Sequence, residues 1–367
     1  MRIVHFSDIH LAYGNYHYFN TVYLKALIND LKNQLHHGSI DLVIISGDLV
    51  DKGGFSLYDI KEYKGREGEI SPYQIFEELF IEPISVALSI PKNKFLFVPG
   101  NHDVDESNIL LKAESDLINK IIEGKPTITE ILEANEVNFE YSKRIECFKR
   151  YEEEYHSTND YYDYTNNQST YVHLSEEGEK YGFLLLNDSW RCKSVKLLIE
   201  HQKPFKLDLG SKQIYDGIKS LKKQGANVIV CVMHHPLDKF NDQDEIYGIF
   251  ITEDIDLVLF GDLHATKFTN PQTTTSGGYI SSQCKASYSN HNEMNIEYLC
   301  GYQILELNKT SLSSIAYRYY DGRTDKKQFY PDPTMGHNGI DRNNNGLGYP
   351  YFRKRSIDIM DEKNFRN

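Results

Sequence analysis

Arg2-Ile3-Val4-His5-Phe6-Ser7-Asp8-Ile9-His10 opens the chain with an apolar run that ends on an aspartate and a histidine. The same device recurs. Leu42-Val43-Ile44-Ile45 leads into Gly47-Asp48-Leu49-Val50-Asp51, and Val228–Val232 leads into Met233-His234-His235-Pro236. Asp256–Phe260 leads into Gly261-Asp262-Leu263-His264, and Phe95–Val98 reaches Gly100-Asn101-His102-Asp103 through Pro99. Short apolar runs rich in β-branched residues and bounded by Gly, Pro or Asp read as buried strands. Side chains at the ends of such strands in an open α/β sheet share one crevice, because the loops converge there. The pattern predicts an α/β fold that carries a metal-dependent hydrolytic site at its strand ends.

The residue types say which chemistry. Aspartate, asparagine and histidine, with one carboxylate free to bridge, suit a pair of hard or borderline divalent cations. Two such ions can clamp a phosphoryl group, lower the pKa of a water and stabilise a leaving oxygen. The motifs contain no thiolate, which argues against a structural zinc site. Gly47, Gly100 and Gly261 allow the tight turns that aim each ligand inward.

With these motifs in this order, the chain resembles the calcineurin-like metallophosphoesterases, whose pattern runs Asp-x-His, Gly-Asp, Gly-Asn-His-Asp/Glu, His, Gly-His-x-His. The likeness runs from about Met1 to Tyr320. It implies a four-layer αββα sandwich, with two mixed sheets flanked by helices, and two metal sites. Asp8, His10 and His264 would serve the first metal, Asp48 would bridge, and Asn101 and His234 would serve the second. His102 corresponds to the family's histidine that approaches the leaving group, with Asp103 beside it as the orienting carboxylate. A carboxylate on the far ring nitrogen fixes the tautomer and raises basicity. Asp51 reads as a support, because bridging needs only Asp48, and His235 as a support behind His234.

One position departs from the family pattern. Asp262 stands where the first histidine of Gly-His-x-His would bind the second metal. As a ligand it would shift that site towards Mn²⁺ or Mg²⁺. Alternatively it hydrogen-bonds a ligand and leaves the second metal weakly held. The expected cofactors are two divalent ions, with Mn²⁺ first and Fe, Zn or Mg as alternatives.

Composition points to a cytoplasmic enzyme. The first residues already form a strand, so they do not read as a signal peptide. No apolar stretch is long enough to span a bilayer, so no membrane partner is expected. Cys147, Cys192, Cys231, Cys284 and Cys300 are odd in number and lack a Cys-x-x-Cys pair, as expected for free thiols in a reducing compartment. A formal charge of -13 opposes long-range, nonspecific binding of nucleic acid.

Residues 1–320 read as one domain with a largely helical insertion at about 104–180. Helical periodicity runs from about Ser107 to Tyr155, and Thr127–Glu130 forms a capping box. The tyrosine-rich stretch 155–164 reads as packing of a helical cap, with base stacking as the alternative. The Gly53-Gly54 loop forms either a cleft wall or a surface excursion. Arg191, beside the only tryptophan, is a candidate substrate contact; alternatively it pairs with an acid while Trp190 fills a gap under the cap. Strands at 277–282, 299–307 and 312–319 should complete the second sheet. From about Asp321 the chain reads as an extended tail, a possible contact for a protein partner. Asp341–Gly346 resembles the opening of a calcium loop, but Phe352 stands where the closing glutamate is required, so it reads as a turn.

The expected activity is hydrolysis of a nucleotide or nucleic-acid phosphodiester by a metal-bound hydroxide. His102 is the reason for preferring a diester, since an alkoxide leaving group needs a proton. The alternatives are a phosphoprotein or phosphomonoester phosphatase and, in another class, a non-catalytic scaffold that reuses the fold.

Overall fold

Strand β1 (Arg2–Phe6) is central to the architecture and buried on both faces. In the computed structural model, residues 1–193, 206–262, 273–276, 279–288, 298–323, 325–335 and 337–342 are described. β1 runs parallel to β2 (Leu42–Ser46), which runs parallel to β3 (Phe95–Val98). A second sheet follows in the chain: β4 (Tyr162–Tyr164), β5 (Ser169–Leu174), β6 (Lys180–Leu185), β7 (Val228–Val232), β8 (Leu257–Phe260), β9 (Thr273–Ser276) and β10 (Tyr279–Gln283). Its order is β4-β5-β6-β7-β8-β10-β9, with β6, β7, β8 and β10 parallel. The chain then returns to the first sheet. β11 (Gly301–Asn308) pairs antiparallel with β1, β12 (Ser311–Asp321) with β11, and both β13 (Gln328–Pro331) and β14 (Ile340–Arg342) with β12.

The two-residue side-chain period divides each strand between two cores. Ile3, Leu42, Ile44, Leu96, Val228, Val230, Val232, Leu257 and Leu259 belong to one cluster, between the sheets. Val4, Phe6, Val43, Ile45, Ile229 and Cys231 face the helices instead. Burial on both faces is why these strands read as unbroken apolar runs.

Helices α1 (Tyr13–Tyr18), α2 (Leu24–Gln34), α3 (Pro72–Phe76) and α4 (Glu82–Leu88) belong to the first half of the chain. A π-turn at Glu77–Ile81 joins α3 to α4, and its Phe80 meets Phe6 edge-on at 5.5 Å. The insertion holds α5 (Leu111–Ile122), α6 (Ile128–Asn138) and α7 (Glu146–His156). Thr127 and Glu130 cap α6 reciprocally, as expected. α8 (Ser211–Lys223) and α9 (Gln243–Thr252) complete the set. α8 buries Ile214, Ile218 and Leu221 at helical spacing and packs on β5 and β6. Among the described residues no helix is long and apolar enough to cross a membrane, and all five cysteines are free.

Three expectations need correction. Of the three late strands expected there, only β10 joins the second sheet; β11 pairs with β1 and β12 with β11 in the first. The tail expected from Asp321 does not begin there, because β13 and β14 extend the first sheet as far as Arg342. The insertion ends in strands, and Tyr162 of the tyrosine-rich stretch lies in β4 with its hydroxyl on Glu152 at 2.5 Å. Residues 343–346 of the calcium-loop look-alike, and the tail beyond them, lie outside the described residues.

Candidate metal centre

The parallel strands of both sheets deliver their C-terminal ends to one place. β1 supplies Asp8 and His10, β2 Asp48, and β3 Asn101 and His102; β7 supplies His234 and β8 Asp262. Ligand-capable atoms of Asp8, Asp48 and His234 lie within 4.8 Å of one another, as do those of His10, Asp48 and His102, and those of His234, His235 and Asp262. His264 lies outside the described residues.

Asp8, His10, Asp48 and Asp262 all adopt left-handed backbone, with φ of 53°, 48°, 55° and 57°. For residues with a side chain this region is sparsely populated and costs about 1 kcal/mol or more, and it clusters at functional sites. The neighbouring glycines are there for space as well as for turning. Gly47 has φ of 93°, but Gly100 and Gly261 do not have positive φ. A methyl group at Gly100 would collide with the Asp48 carboxylate, at Gly261 with Ser7, and at Gly47 with the His234 ring.

Each buried carboxylate has one oxygen engaged by the protein and one left over. Asp8 Oδ2 accepts from the Ser7 hydroxyl at 2.5 Å and the Asp262 N–H at 3.2 Å. Asp48 Oδ1 accepts the His102 N–H at 2.6 Å. Among the described residues, Asp8 Oδ1 and Asp48 Oδ2 are buried without a hydrogen-bond donor. A desolvated carboxylate oxygen without a donor is costly unless a cation serves it. Asp48 Oδ2 lies 3.7 Å from His10 Nε2 and 3.4 Å from His234 Nε2.

His234 is completely buried, and its tautomer follows from its partners. Nδ1 donates to the Ser46 carbonyl at 2.7 Å, so the neutral ring turns its Nε2 lone pair towards Asn101 Oδ1, 3.2 Å away, and Asp48. Three electron-pair donors thus converge, an arrangement that fits a divalent ion. In the absence of one, burial lowers the His234 pKa, but Asp48 outweighs it and raises the pKa well above the ordinary value. Burial would likewise raise the Asp48 carboxyl, yet His234, His10 and His102 hold it far below the carboxylate range.

The carboxylate that orients His102 is Asp51, not Asp103. His102 Nδ1 meets Asp51 Oδ1 at 2.6 Å, and this bond holds the Asp51 carboxyl below its ordinary value. Asp103 faces the interior, where it accepts the backbone N–H groups of Gly100 at 2.8 Å and of Leu49 and Val50 at 3.2 Å each. Burial and then Asp48 push its pKa up to about 7. Its role is to tie the β2 and β3 loops together.

Arg191 is also corrected. It is buried and pairs with Glu114 of α5 at 3.3 Å, and Arg144 binds the same carboxylate. Trp190 fills the space under the insertion with Leu117, Ile131 and Leu132. The substrate role therefore fails for Arg191, and the acid-pairing alternative holds.

Asp188, at the end of β6, is a supporting residue that the motifs did not reveal. Its Oδ2 accepts the N–H groups of His234 at 2.9 Å and His235 at 2.7 Å, and its Oδ1 lies 3.3 Å from His235 Nδ1. Burial lowers the His235 pKa, but Cys192 and Asp188 prevail and raise it to about 10. The clue in the sequence was an aspartate close behind an apolar strand, after Asn187.

Residues 1–266 match the family model described as calcineurin-like phosphoesterase. An uncharacterised metallophosphoesterase-like protein of Bacillus subtilis (strain 168), YydB, is 22% identical over 295 residues, which cover 76% of this chain. The chain spans about half (52%) of that relative's length. Among solved structures, a dimetal phosphatase from Danio rerio aligns at 9% identity and a TM-score of 0.46, covering 90% of this chain and 98% of its own. The calcineurin-like phosphoesterase YfkN from Bacillus subtilis aligns at 14% identity and a TM-score of 0.41, covering 93% and 92%.

Proposed function

The chain belongs to the calcineurin-like phosphoesterase family, and from that premise we propose that it is a phosphodiesterase acting on a nucleotide or nucleic-acid diester. Asp8, His10, Asp48 and His264 would hold the first metal, and Asp48, Asn101, His234 and Asp262 the second. Such ions supply Lewis acidity towards a phosphoryl oxygen and make water more acidic. The mixed imidazole and carboxylate donors suit Mn²⁺.

The observation that carries the diester reading is the Asp51–His102 pair. With Nδ1 bonded to Asp51, Nε2 is the His102 nitrogen that would serve the substrate, and the ring stands edge-on to His10 at 4.5 Å. A proton held there can pass to the departing alkoxide, the step a diester of a poor leaving group most needs. Asp51 fixes the tautomer and the direction of the ring. Asp48 orients the loop by accepting the His102 N–H.

The test is hydrolysis of bis-p-nitrophenyl phosphate, p-nitrophenyl phosphate, cyclic nucleotides and single- and double-stranded DNA and RNA in Mn²⁺. Faster turnover of diesters than of the monoester is expected, and the reverse order overturns the diester reading. Failure of Mn²⁺-supplied protein to retain any metal would favour the scaffold alternative.

A further inference from the structure

Two aromatic rings stand exposed on the segments that carry the centre: Tyr13, at 54% of full exposure, and Phe55, at 47%. Tyr13 lies three residues beyond His10 and begins α1, with its N–H on Ser56 Oγ at 3.2 Å. Phe55 follows Gly53 and Gly54, whose φ values are 69° and 77°. Gly53 donates its N–H to the His102 carbonyl at 2.8 Å, and Gly54 donates to the Asp51 carbonyl at 2.9 Å. The Phe55 ring lies over Gly53, at 3.1 Å from where a methyl group would stand. A side chain at Gly54 would run into Pro72 at 2.6 Å. The loop is therefore pinned to the backbone of the two residues assigned to proton delivery, and Phe55 stands exposed on it.

Single exposed rings are ordinary on a protein surface, but rings on segments tied to the residues of a reaction centre offer stacking faces to its ligand. The centre is crowded with the carboxylates of Asp8, Asp48, Asp51 and Asp262, within a chain of formal charge -13. An anionic backbone gains little there, whereas a nucleobase stacks on aromatic faces without needing charge. We infer that Phe55 and Tyr13 form a base-stacking shelf, so that the substrate is an unpaired nucleotide whose base adjoins the scissile phosphate. A base inside a duplex is already stacked and does not present its face. This inference rests on the phosphodiesterase reading and narrows its substrate.

Two measurements test it, binding in Mg²⁺ and turnover in Mn²⁺. The first is fluorescence quenching of 2-aminopurine deoxyribonucleoside monophosphate by wild type, Phe55→Trp, and the double variant Phe55→Ala/Tyr13→Ala. Quenching should occur with the wild type, persist in Phe55→Trp, and need roughly tenfold more protein in the double variant. The second compares kcat/KM for dithymidine monophosphate with that for the same diester carrying an abasic sugar. The base should gain about tenfold, and the gap should close in the double variant through KM. Quenching that is absent, or indifferent to both substitutions, overturns the shelf, as does equal wild-type kcat/KM on the two diesters. Base-dependent quenching without diester turnover refutes the phosphodiesterase reading and leaves the shelf standing.

Discussion

His102 Nδ1 donates to Asp51, across the loop, at 2.6 Å, while its sequence neighbour Asp103 turns inward to three backbone N–H groups. Adjacent aspartate and histidine are thus split between rigidity and proton delivery. His102→Ala should cost about a hundredfold on poor leaving groups, less on nitrophenyl esters, with metal content retained. Asp51→Asn should fall in the same direction by roughly ten- to hundredfold. Asp103→Ala should instead lower unfolding stability by about 1–3 kcal/mol or more. Rates on the two ester types, with urea unfolding of each variant, check this; a stable Asp103→Ala with the pattern of His102→Ala would reverse the assignment.

Asp48→Asn should abolish turnover and reduce occupancy at both metal positions, because Asp48 Oδ2 lies between His10 and His234. Metal analysis and single-turnover rates measure the two effects. Survival of more than about a tenth of the rate with both metals bound is incompatible with a bridging carboxylate.

Asp262 lies with His234 in one ligand-capable group, and its side chain is 3.6 Å from the Lys239 ammonium. Asp262→His should keep activity and move metal preference from Mn²⁺ towards Zn²⁺ or Fe²⁺. Asp262→Ala should raise the Mn²⁺ requirement while the first site stays filled. An Mn²⁺ titration of Asp262→Ala that matches wild type would remove the aspartate from the ligand set.

Glu114 receives both Arg144 and Arg191 in the interior. Glu114→Ala removes the carboxylate that the two guanidiniums share and should cost about 3–5 kcal/mol of stability. KM on diesters should not change, since Arg191 is buried away from substrate. A raised KM without loss of stability would return Arg191 to a substrate role.

His156 stacks on Tyr162 at 3.8 Å, and burial followed by Lys149 lowers its pKa to about 3. The unfolded chain therefore binds this proton first as the pH falls. Stability is fully present above pH 6.5 and is lost at about 1.4 kcal/mol per pH unit as the pH falls towards 3. His156→Phe should gain on wild type by that slope in urea unfolding at pH 6.5, 5.5 and 4.5. Parallel stabilities across the three would show that His156 does not titrate in this window.

The strand ends were legible because a doubly buried strand is an unbroken apolar run, and its last residue marks where a ligand begins. Supports were less legible, because they depend on direction in space. Asp103 follows His102 in the chain but points away from it, while Asp51 comes back from another strand. Arg191 looked like a substrate contact because Glu114, its partner, is far away in sequence. β13 and β14 escaped because edge strands are short, and Pro331 is tolerated only at such an edge.

The pairing of β1 with β11 carries a consequence for how the protein is made. The ribosome releases the strand bearing Asp8 and His10 first and its antiparallel neighbour some three hundred residues later. Until then β1 has one open edge, a template for pairing with other chains. Long waits of this kind slow folding, because loop closure precedes the contacts that reward it. A fragment ended at residue 266, where the family match stops, would keep every residue assigned as a ligand yet leave that edge permanently bare. The boundary of the recognisable motif region is therefore not a boundary of the folding unit.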